Sequence, residues 1–265
     1  MYSPVQLAFK YLNYLIKASN GKGHGIHSPF VFEFVTKVKN GKKDYQTYRA
    51  IESVREKLLH NDSTITVEDF GAGSRIIGTK ERVVKQIAST SLKPKKYSQL
   101  MHRMVQHYQP KAILEIGTSL GITTSYLAQA DDKASVITME GAKAIAAIAK
   151  QNFDALGITN IQQIIGNFDD TLPPTLSSLA TVDFAFIDGN HRYEPTINYF
   201  QQILTKSNNE TIIILDDIYW SKEMEQAWNW VKQHEQVRLT IDLFAIGIVV
   251  LRKEILHKQH FRIRY

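Results

Sequence analysis

The chain has 265 residues, 43% of them hydrophobic and 22% charged, an ordinary balance for a globular protein able to bury one core plus an elaboration. It has no cysteine, which excludes a disulfide framework, a thiol nucleophile and a thiolate zinc site; with no apolar run of membrane-span length and no charged-then-apolar leader, a cytoplasmic location and no membrane partner are expected. The net charge of +6 is spread in small clusters such as Lys93-x-Lys95-Lys96 rather than along a basic stripe with interleaved aromatics, so nucleic acid is not an expected partner.

The first ninety or so residues read as helices, an N-terminal extension or lid over residues 1–94. Ser3-Pro4 supplies a cap and first turn, followed by Val5, Ala8, Phe9, Leu12, Leu15 and Ile16 at helical spacing. Gly21-Lys-Gly-His-Gly25 interrupts it. His24 and His27 in this segment read as exposed loop histidines, with no third ligand nearby for a metal. Ser28-Pro29 starts a second helix carrying Val31, Phe34, Val35 and Val38. A third runs from about Tyr45 to His60, and a fourth from Lys80 to Thr90. Between these two, Glu68-Asp-Phe-Gly-Ala-Gly-Ser74 comes after at best a short strand, Thr64 to Val67. It reads as a structural turn, with an active-site flap as the alternative.

From Lys95 to the end the pattern is a second domain. Ser98 is the expected cap of a helix ending before Pro110. Apolar runs then alternate with helical segments: Ala112–Ile116, helix to about Gln129, Ser135–Met139, helix Lys143–Leu156, Ile161–Ile165. A Pro173-Pro174 turn with a short helix comes next, then Phe184–Ile187, helix Tyr193–Leu204, Thr211–Leu215 and helix Lys222–His234. Such alternation predicts a parallel sheet covered on both faces. The last two runs, Val237–Leu243 and Ile246–Leu251, are too close for a crossover and should pair antiparallel.

The first of these strands ends in a glycine-spaced turn, Glu115-x-Gly117-x-x-x-Gly121, and the second in Glu140. Glycines let backbone approach a ligand closely, and a helix start turns amides toward a polar group. A carboxylate at the next strand end can accept from both hydroxyls of a ribose, so the turn predicts a nucleoside-bearing cofactor. Dinucleotide turns use Gly-x-Gly-x-x-Gly under a pyrophosphate, and that spacing is absent at Gly117. The pattern present instead resembles the first motif of class I S-adenosylmethionine-dependent methyltransferases.

That resemblance implies an α/β, Rossmann-like fold with a seven-stranded, mostly parallel sheet and an antiparallel last strand, beside the helical extension. It also implies S-adenosylmethionine as cofactor. The turn residues Glu115, Gly117, Thr118, Ser119 and Gly121 would contact it, with Glu140 and Gly141 after the second strand and Asn167 and Phe168 after the third. Asn167 would meet the edge of adenine, and Phe168 either stacks on the base or belongs to the core.

The fourth strand ends in Asp188-Gly-Asn-His-Arg-Tyr-Glu194 and the fifth in Asp216-Asp217-Ile-Tyr-Trp220. Adjacent carboxylates repel unless a cation or donors offset them. Asp188, Asp216 and Asp217 on one rim suit Mg²⁺ or another divalent cation. The alternative is that Asp216 caps the next helical region and Asp188 contacts cofactor or substrate without an ion.

This arrangement resembles the metal-dependent O-methyltransferases of the catechol and caffeoyl-CoA type, and more closely the family with Asp-Gly-x-His-x-Tyr after strand four. The likeness spans about Lys95 to Arg252. It implies a small hydroxylated substrate, catalytic roles for Asp188 and His191, and His191 as base where the catechol-type enzymes have lysine. The chain departs from the family in having Asp216-Asp217 where those enzymes have Asp-Asn. Tyr219 and Trp220 are candidates for an aromatic substrate wall, and a homodimer is the oligomeric state common among such relatives. The rival readings are an RNA or protein methyltransferase, a cofactor-binding module without turnover, and an NAD-dependent oxidoreductase.

Overall fold

A computed structural model of the chain describes residues 1–19, 27–70 and 76–265. These form two compact units, one of Met1–Thr36 with Ser178–Tyr265 and one of Lys37–Ser177. His24 and the Gly71–Ser74 part of the second loop lie outside the described residues, and His27 is exposed. Among the described residues no helix is long and apolar enough to cross a membrane.

The chain opens with α1 (Pro4–Lys17), started by a capping box in which Ser3 and Gln6 satisfy each other's amides, with Pro4 at the first helical position. Next come α2 (Pro29–Glu33) and, instead of more α-helix, a π-helical stretch over Phe34–Lys39. The predicted inward residues Val31, Phe34, Val35 and Val38 are all fully buried.

In the second unit, Asp44 accepts the Thr47 amide at 3.1 Å and starts α3 (Tyr45–Leu59). The region after it corrects the all-helical reading. An antiparallel hairpin of β1 (Thr64–Phe70) and β2 (Ile76–Val83) occupies it, and α4 is confined to Val84–Ser91. The signal was a period of two: Ile65 and Val67 pack on the core while Thr64 and Thr66 are exposed. A second correction concerns α5, Lys95–Tyr108, which begins directly after Pro94. Ser98 is buried inside it, 3.4 Å from the Thr123 hydroxyl, and is not its cap.

The remaining elements of this unit are β3 (Ala112–Ile116), α6 (Ile122–Ala128), β4 (Ser135–Glu140), α7 (Lys143–Ala155), β5 (Ile161–Ile165) and α8 (Phe168–Ser178), with β3, β4 and β5 parallel. Pro173 and Pro174 lie within α8 rather than forming a turn. Neither offers an amide to the carbonyl one turn earlier, at Asp169 and Asp170, and both of those residues are exposed, so water reaches them. Tyr48, Ile51 and Leu58 of α3, Val84 and Ile87 of α4, and Leu120, Ile122 and Tyr126 form one apolar cluster. Each such side chain contributes about 1.5–3 kcal/mol on burial.

The rest of the first unit is β6 (Val182–Ile187), α9 (Tyr193–Leu204), β7 (Ser207–Asp216), α10 (Lys222–Gln233), β8 (Leu239–Asp242), β9 (Ile246–Val250) and β10 (Gln259–Arg262), in strand order β10-β8-β9-β7-β6. β6 and β7 are parallel, and β9 runs antiparallel to both β7 and β8, as the short Phe244-Ala245 link requires. β10, parallel to β8, was not anticipated and, among the described residues, adds a fifth strand to β6–β9 of this unit. Its four residues, Gln-His-Phe-Arg, give too short and too polar a run to read as a strand alone.

Candidate functional site

Register sets the height of each functional residue. Ile116 pairs with Met139, and Glu140 pairs with Ile165. Gly117, Glu140 and Gly166 therefore emerge together at the carboxyl edge of the second unit's three strands. The amides of Gly117 and Thr118 both donate to the Met139 carbonyl at 2.9 Å. Gly117 (φ 102°), Ser119 (φ 48°) and Gly121 (φ 79°) are left-handed, which folds the turn tightly back into α6. The Glu140 carboxylate holds it, accepting the Ser119 amide at 2.8 Å and the Ala142 amide at 2.9 Å. Burial raises the Glu140 pKa, and the amides of Ala142, Ser119 and Gly141 oppose the shift.

Glu115 sits two residues below the edge on the same face, opposite Thr138. It is completely buried, and one carboxylate oxygen accepts from both Thr124 and Thr138, the latter at 2.6 Å. Thr138 and Thr118 are 2.6 Å apart, so these four side chains tie β3, the turn, α6 and β4 together. The other Glu115 oxygen is buried with no hydrogen-bond partner among the described residues.

Burial pushes the Glu115 carboxyl from 4.5 up to about 7, against the two threonine hydrogen bonds. Because the folded-state pKa is the higher one, stability is greatest at acid pH and falls as pH rises from about 4.5 to 7. Glu115→Gln removes the buried charge but leaves an unmet amide N–H, for a net gain on the order of 1–2 kcal/mol at pH 8. Calorimetric melting should place the variant above the parent at pH 8, with the gap closed or reversed at pH 5.

After β5, Gly166 (φ 147°) donates to the Glu140 carbonyl at 2.9 Å. Asn167 then starts α8: its carbonyl accepts the Asp170 and Thr171 amides, and its side-chain oxygen accepts the Asp169 amide at 3.3 Å. Its Nδ2 is buried with no partner among the described residues. Phe168 is half-buried beside it.

In the first unit, Ile187 of β6 pairs with Leu215 of β7. Asp188 and Asp216 are thus the next residues on neighbouring parallel strands, on the same face. Asp188, His191 and Asp216 each present a ligand atom within 4.8 Å of the other two. His191 Nε2 lies 3.5 Å from Asp188 Oδ1, and its ring centroid is 5.6 Å from that of Trp220. Asp216 is 1% exposed, whereas Asp188 and His191 are partly accessible.

Asp217 is not part of this group. Successive strand residues point to opposite faces, and at Asp217 the backbone turns left-handed (φ 51°), with its amide on the Ala245 carbonyl and its own carbonyl accepting from Trp220. Sequence reasoning placed His191 beside the carboxylates as a base and not as a third ligand atom. Its spacing of three from Asp188 was the available signal. Tyr219 stacks on Phe244 and donates to Asp242 at 2.6 Å, while Trp220 lies against His191.

Residues 114–218 match the family described as Methyltransferase domain. Solved structures of similar architecture include an O-methyltransferase from Bacillus cereus in complex with S-adenosylhomocysteine. It shows TM-score 0.56 and 19% identity, over 82% of this chain and 96% of that one. Another is an S-adenosylhomocysteine-bound methyltransferase from Podospora anserina, at TM-score 0.56 and 15% identity, over 95% and 98%. The chain has the class I methyltransferase fold. A catechol O-methyltransferase of Niastella koreensis is 36% identical over 118 residues, 43% of this chain. The match spans about half of that enzyme, 52%. The methyltransferase match begins in β3 and ends just past Asp217, so Glu140, Asp188, His191 and Asp216 all fall inside it.

Proposed function

We propose that the chain is an S-adenosylmethionine-dependent O-methyltransferase acting on a hydroxyl of a small molecule, assisted by a divalent cation. The observation that carries this reading is the convergence of Asp188, His191 and Asp216 at adjoining strand ends inside a methyltransferase domain. The catechol O-methyltransferase relative supports a hydroxylated acceptor.

Gly117, Thr118, Ser119 and Gly121 form the turn that receives the methionine moiety, with Glu115 bracing it from below. The Glu140 oxygens accept the Ser119 and Ala142 amides, one on each, with the Gly141 amide beside them, and the lone pair left over is the acceptor for the ribose hydroxyls. Gly141 lets the chain turn away after it. The buried Asn167 Nδ2 is a donor for the adenine edge, and the Phe168 ring offers a face to the base.

Two carboxylates with oxygen atoms within 4.8 Å of each other fit a divalent cation, since metal bonds of about 2.0–2.6 Å put ligands at such separations. When bound, such an ion lowers the pKa of a coordinated hydroxyl. Asp188 and Asp216 are the residues that would hold it, with the neighbouring His191 imidazole left off the ion, and Asp217 shapes the turn. His191, paired with Asp188 and packed on Trp220, is oriented to take the acceptor's proton, with Asp188 offsetting the charge it gains. Holding acceptor and methyl donor together supplies much of the remaining acceleration.

The test is methyl transfer from labelled S-adenosylmethionine to a panel of catechols and sugar hydroxyls, with and without EDTA, alongside calorimetry with S-adenosylhomocysteine and with NAD. Transfer that EDTA suppresses, with heat from S-adenosylhomocysteine alone, supports the assignment. Heat from NAD alone, or no transfer to any hydroxyl, overturns it. In the same calorimeter, Glu140→Gln should weaken S-adenosylhomocysteine by about ten- to a hundredfold, the worth of one or two charge-assisted hydrogen bonds.

A further inference from the structure

The outer edge of the first unit gathers cations on one face of its sheet. Arg262 of β10 pairs with Asp242 of β8, and His260 with Thr240, so these four side chains share a face. Asp242 also pairs with Gly247 of β9, whereas Asp216 pairs with Ile246, one step out of phase. Asp242 and Asp216 therefore stand on opposite faces, and the group around Asp242 is separate from the carboxylates at Asp188 and Asp216. The Asp242 face is the one α10 covers, since a Cβ on Gly247 would stand 2.7 Å from the Trp228 ring. Lys232, one turn after Trp228, lies over it.

Lys232, His260 and Arg262 line a cavity of about 390 Å³ together with Lys17 from the last turn of α1 and the hydroxyl residues Ser19 and Thr240. That volume falls in the range of small-ligand sites. The carboxylate among them is already engaged. Asp242 accepts from the Tyr219 hydroxyl at 2.6 Å and the Phe244 amide at 2.9 Å, with Arg262 Nε 3.4 Å away.

Lysines in the last turn of a helix ordinarily serve its final carbonyls. Here other cations fill that duty. Lys258 donates to the Gln233 and His234 carbonyls at 2.6 and 2.8 Å, and Arg264 to the Leu15 carbonyl at 2.9 and 3.1 Å. Among the described residues the Lys17 and Lys232 ammonium groups have neither a hydrogen bond nor an ion pair, and Lys232 has the Trp228 ring, 5.9 Å from its centroid. Burial lowers the Lys232 pKa, which Asp242 opposes and Arg262 reinforces. His260 is lowered by desolvation and by the charges of Lys232 and Lys258. These cations repel one another, and a bound anion would relieve them.

We propose that this cavity is a binding site for a phosphate-bearing anion. Two ammonium groups, a guanidinium and an imidazole are the donor set that matches several oxyanion oxygens at once. Lys17, Lys232 and Arg262 against the single Asp242 leave an excess of about two positive charges, close to what a phosphate monoester carries near neutral pH. The Thr240 hydroxyl is 2.8 Å from His260 Nδ1. With that hydroxyl donating, the ring proton sits on Nε2, one more donor for the anion.

Calorimetric titration of the full chain with inorganic phosphate, in buffer free of phosphate and sulfate, is expected to give saturable heat. The melting temperature should rise with phosphate. Lys17→Gln and, separately, Lys232→Gln should each weaken phosphate about tenfold or more, the scale of one charge-assisted hydrogen bond, with the phosphate-free melting temperature unchanged. Lys133→Gln makes the same charge change on an exposed turn of the second unit and should leave affinity within about twofold.

Phosphate reaches a protein on a soluble ester or on a lipid headgroup. The helix that ends in Lys17 carries Val5, Phe9, Leu12 and Ile16, which are 64%, 69%, 54% and 72% exposed, so a second arm sediments the chain with phosphatidylcholine vesicles, with and without phosphatidic acid. Heat from free phosphate without vesicle binding assigns a soluble ester. Binding that requires phosphatidic acid and is lost in both lysine variants assigns the lipid. Neither heat nor vesicle binding in the parent overturns the proposal. So does affinity retained in both lysine variants, an equal loss in Lys133→Gln, or phosphate heat that disappears on saturation with S-adenosylhomocysteine, which would put the anion in the cofactor cleft.

Discussion

Asp216→Asn is expected to lower methyl transfer by about a thousandfold or more while S-adenosylhomocysteine affinity changes little, the scale for removing one pre-positioned charge from a reacting centre. The substitution is nearly isosteric, and Asp216 is 1% exposed, so volume and packing are preserved while one of two juxtaposed carboxylates loses its charge. Two readouts separate the cation from simple damage. In the parent, added Mg²⁺ or Mn²⁺ should raise the melting temperature as a ligand of the native state does. In Asp216→Asn that rise should vanish, while the metal-free variant melts no lower than the parent because carboxylate repulsion with Asp188 is relieved. Full activity of the variant in EDTA would show that neither an ion nor the Asp216 charge takes part.

Gly121→Ala should destabilise the chain by about 2–4 kcal/mol, summing a left-handed backbone cost with overpacking. Gly121 has φ 79°, and a Cβ there would stand 2.6 Å from Phe153 Cε1 and 3.0 Å from Ala149 Cβ. Phe153 is 2% exposed, so its ring has nowhere to retreat. For a chain of this size the melting temperature should fall on the order of 10 °C. Phe153→Leu opens room at the ring edge. In that background the added methyl should cost less, and the difference is the steric part of the penalty. Equal losses in both backgrounds would assign the whole effect to the backbone angle.

Much of the fold was legible because alternation of apolar runs and helical periods is a local property. The strand ending at Ile116, the one ending in Glu140 and the helix Tyr193–Leu204 stand where the pattern put them. The hairpin Thr64–Val83 was not legible. Its inward residues Ile65 and Val67 alternate over too few positions to outweigh the helical spacing of Val83, Val84, Ile87 and Ala88 just beyond. Ser98 failed as a cap for a related reason, since a good capping residue is also a good buried partner once Thr123 stands opposite.

The order of residues along the chain determined on its own that Gly117 and Gly121 bracket a strand-to-helix turn, that Glu140 ends the next strand, and that Asp188 and Asp216 end two later ones. Nearest-neighbour chemistry suffices for that. Only the tertiary structure decided which carboxylates meet. Pairing of Ile187 with Leu215 brings Asp188 and Asp216 to the same height and face, with His191 beside them and Asp217 outside the group. Register between strands separated by a helix is set by packing far along the chain, and a residue one step out of phase points to the other side of the sheet.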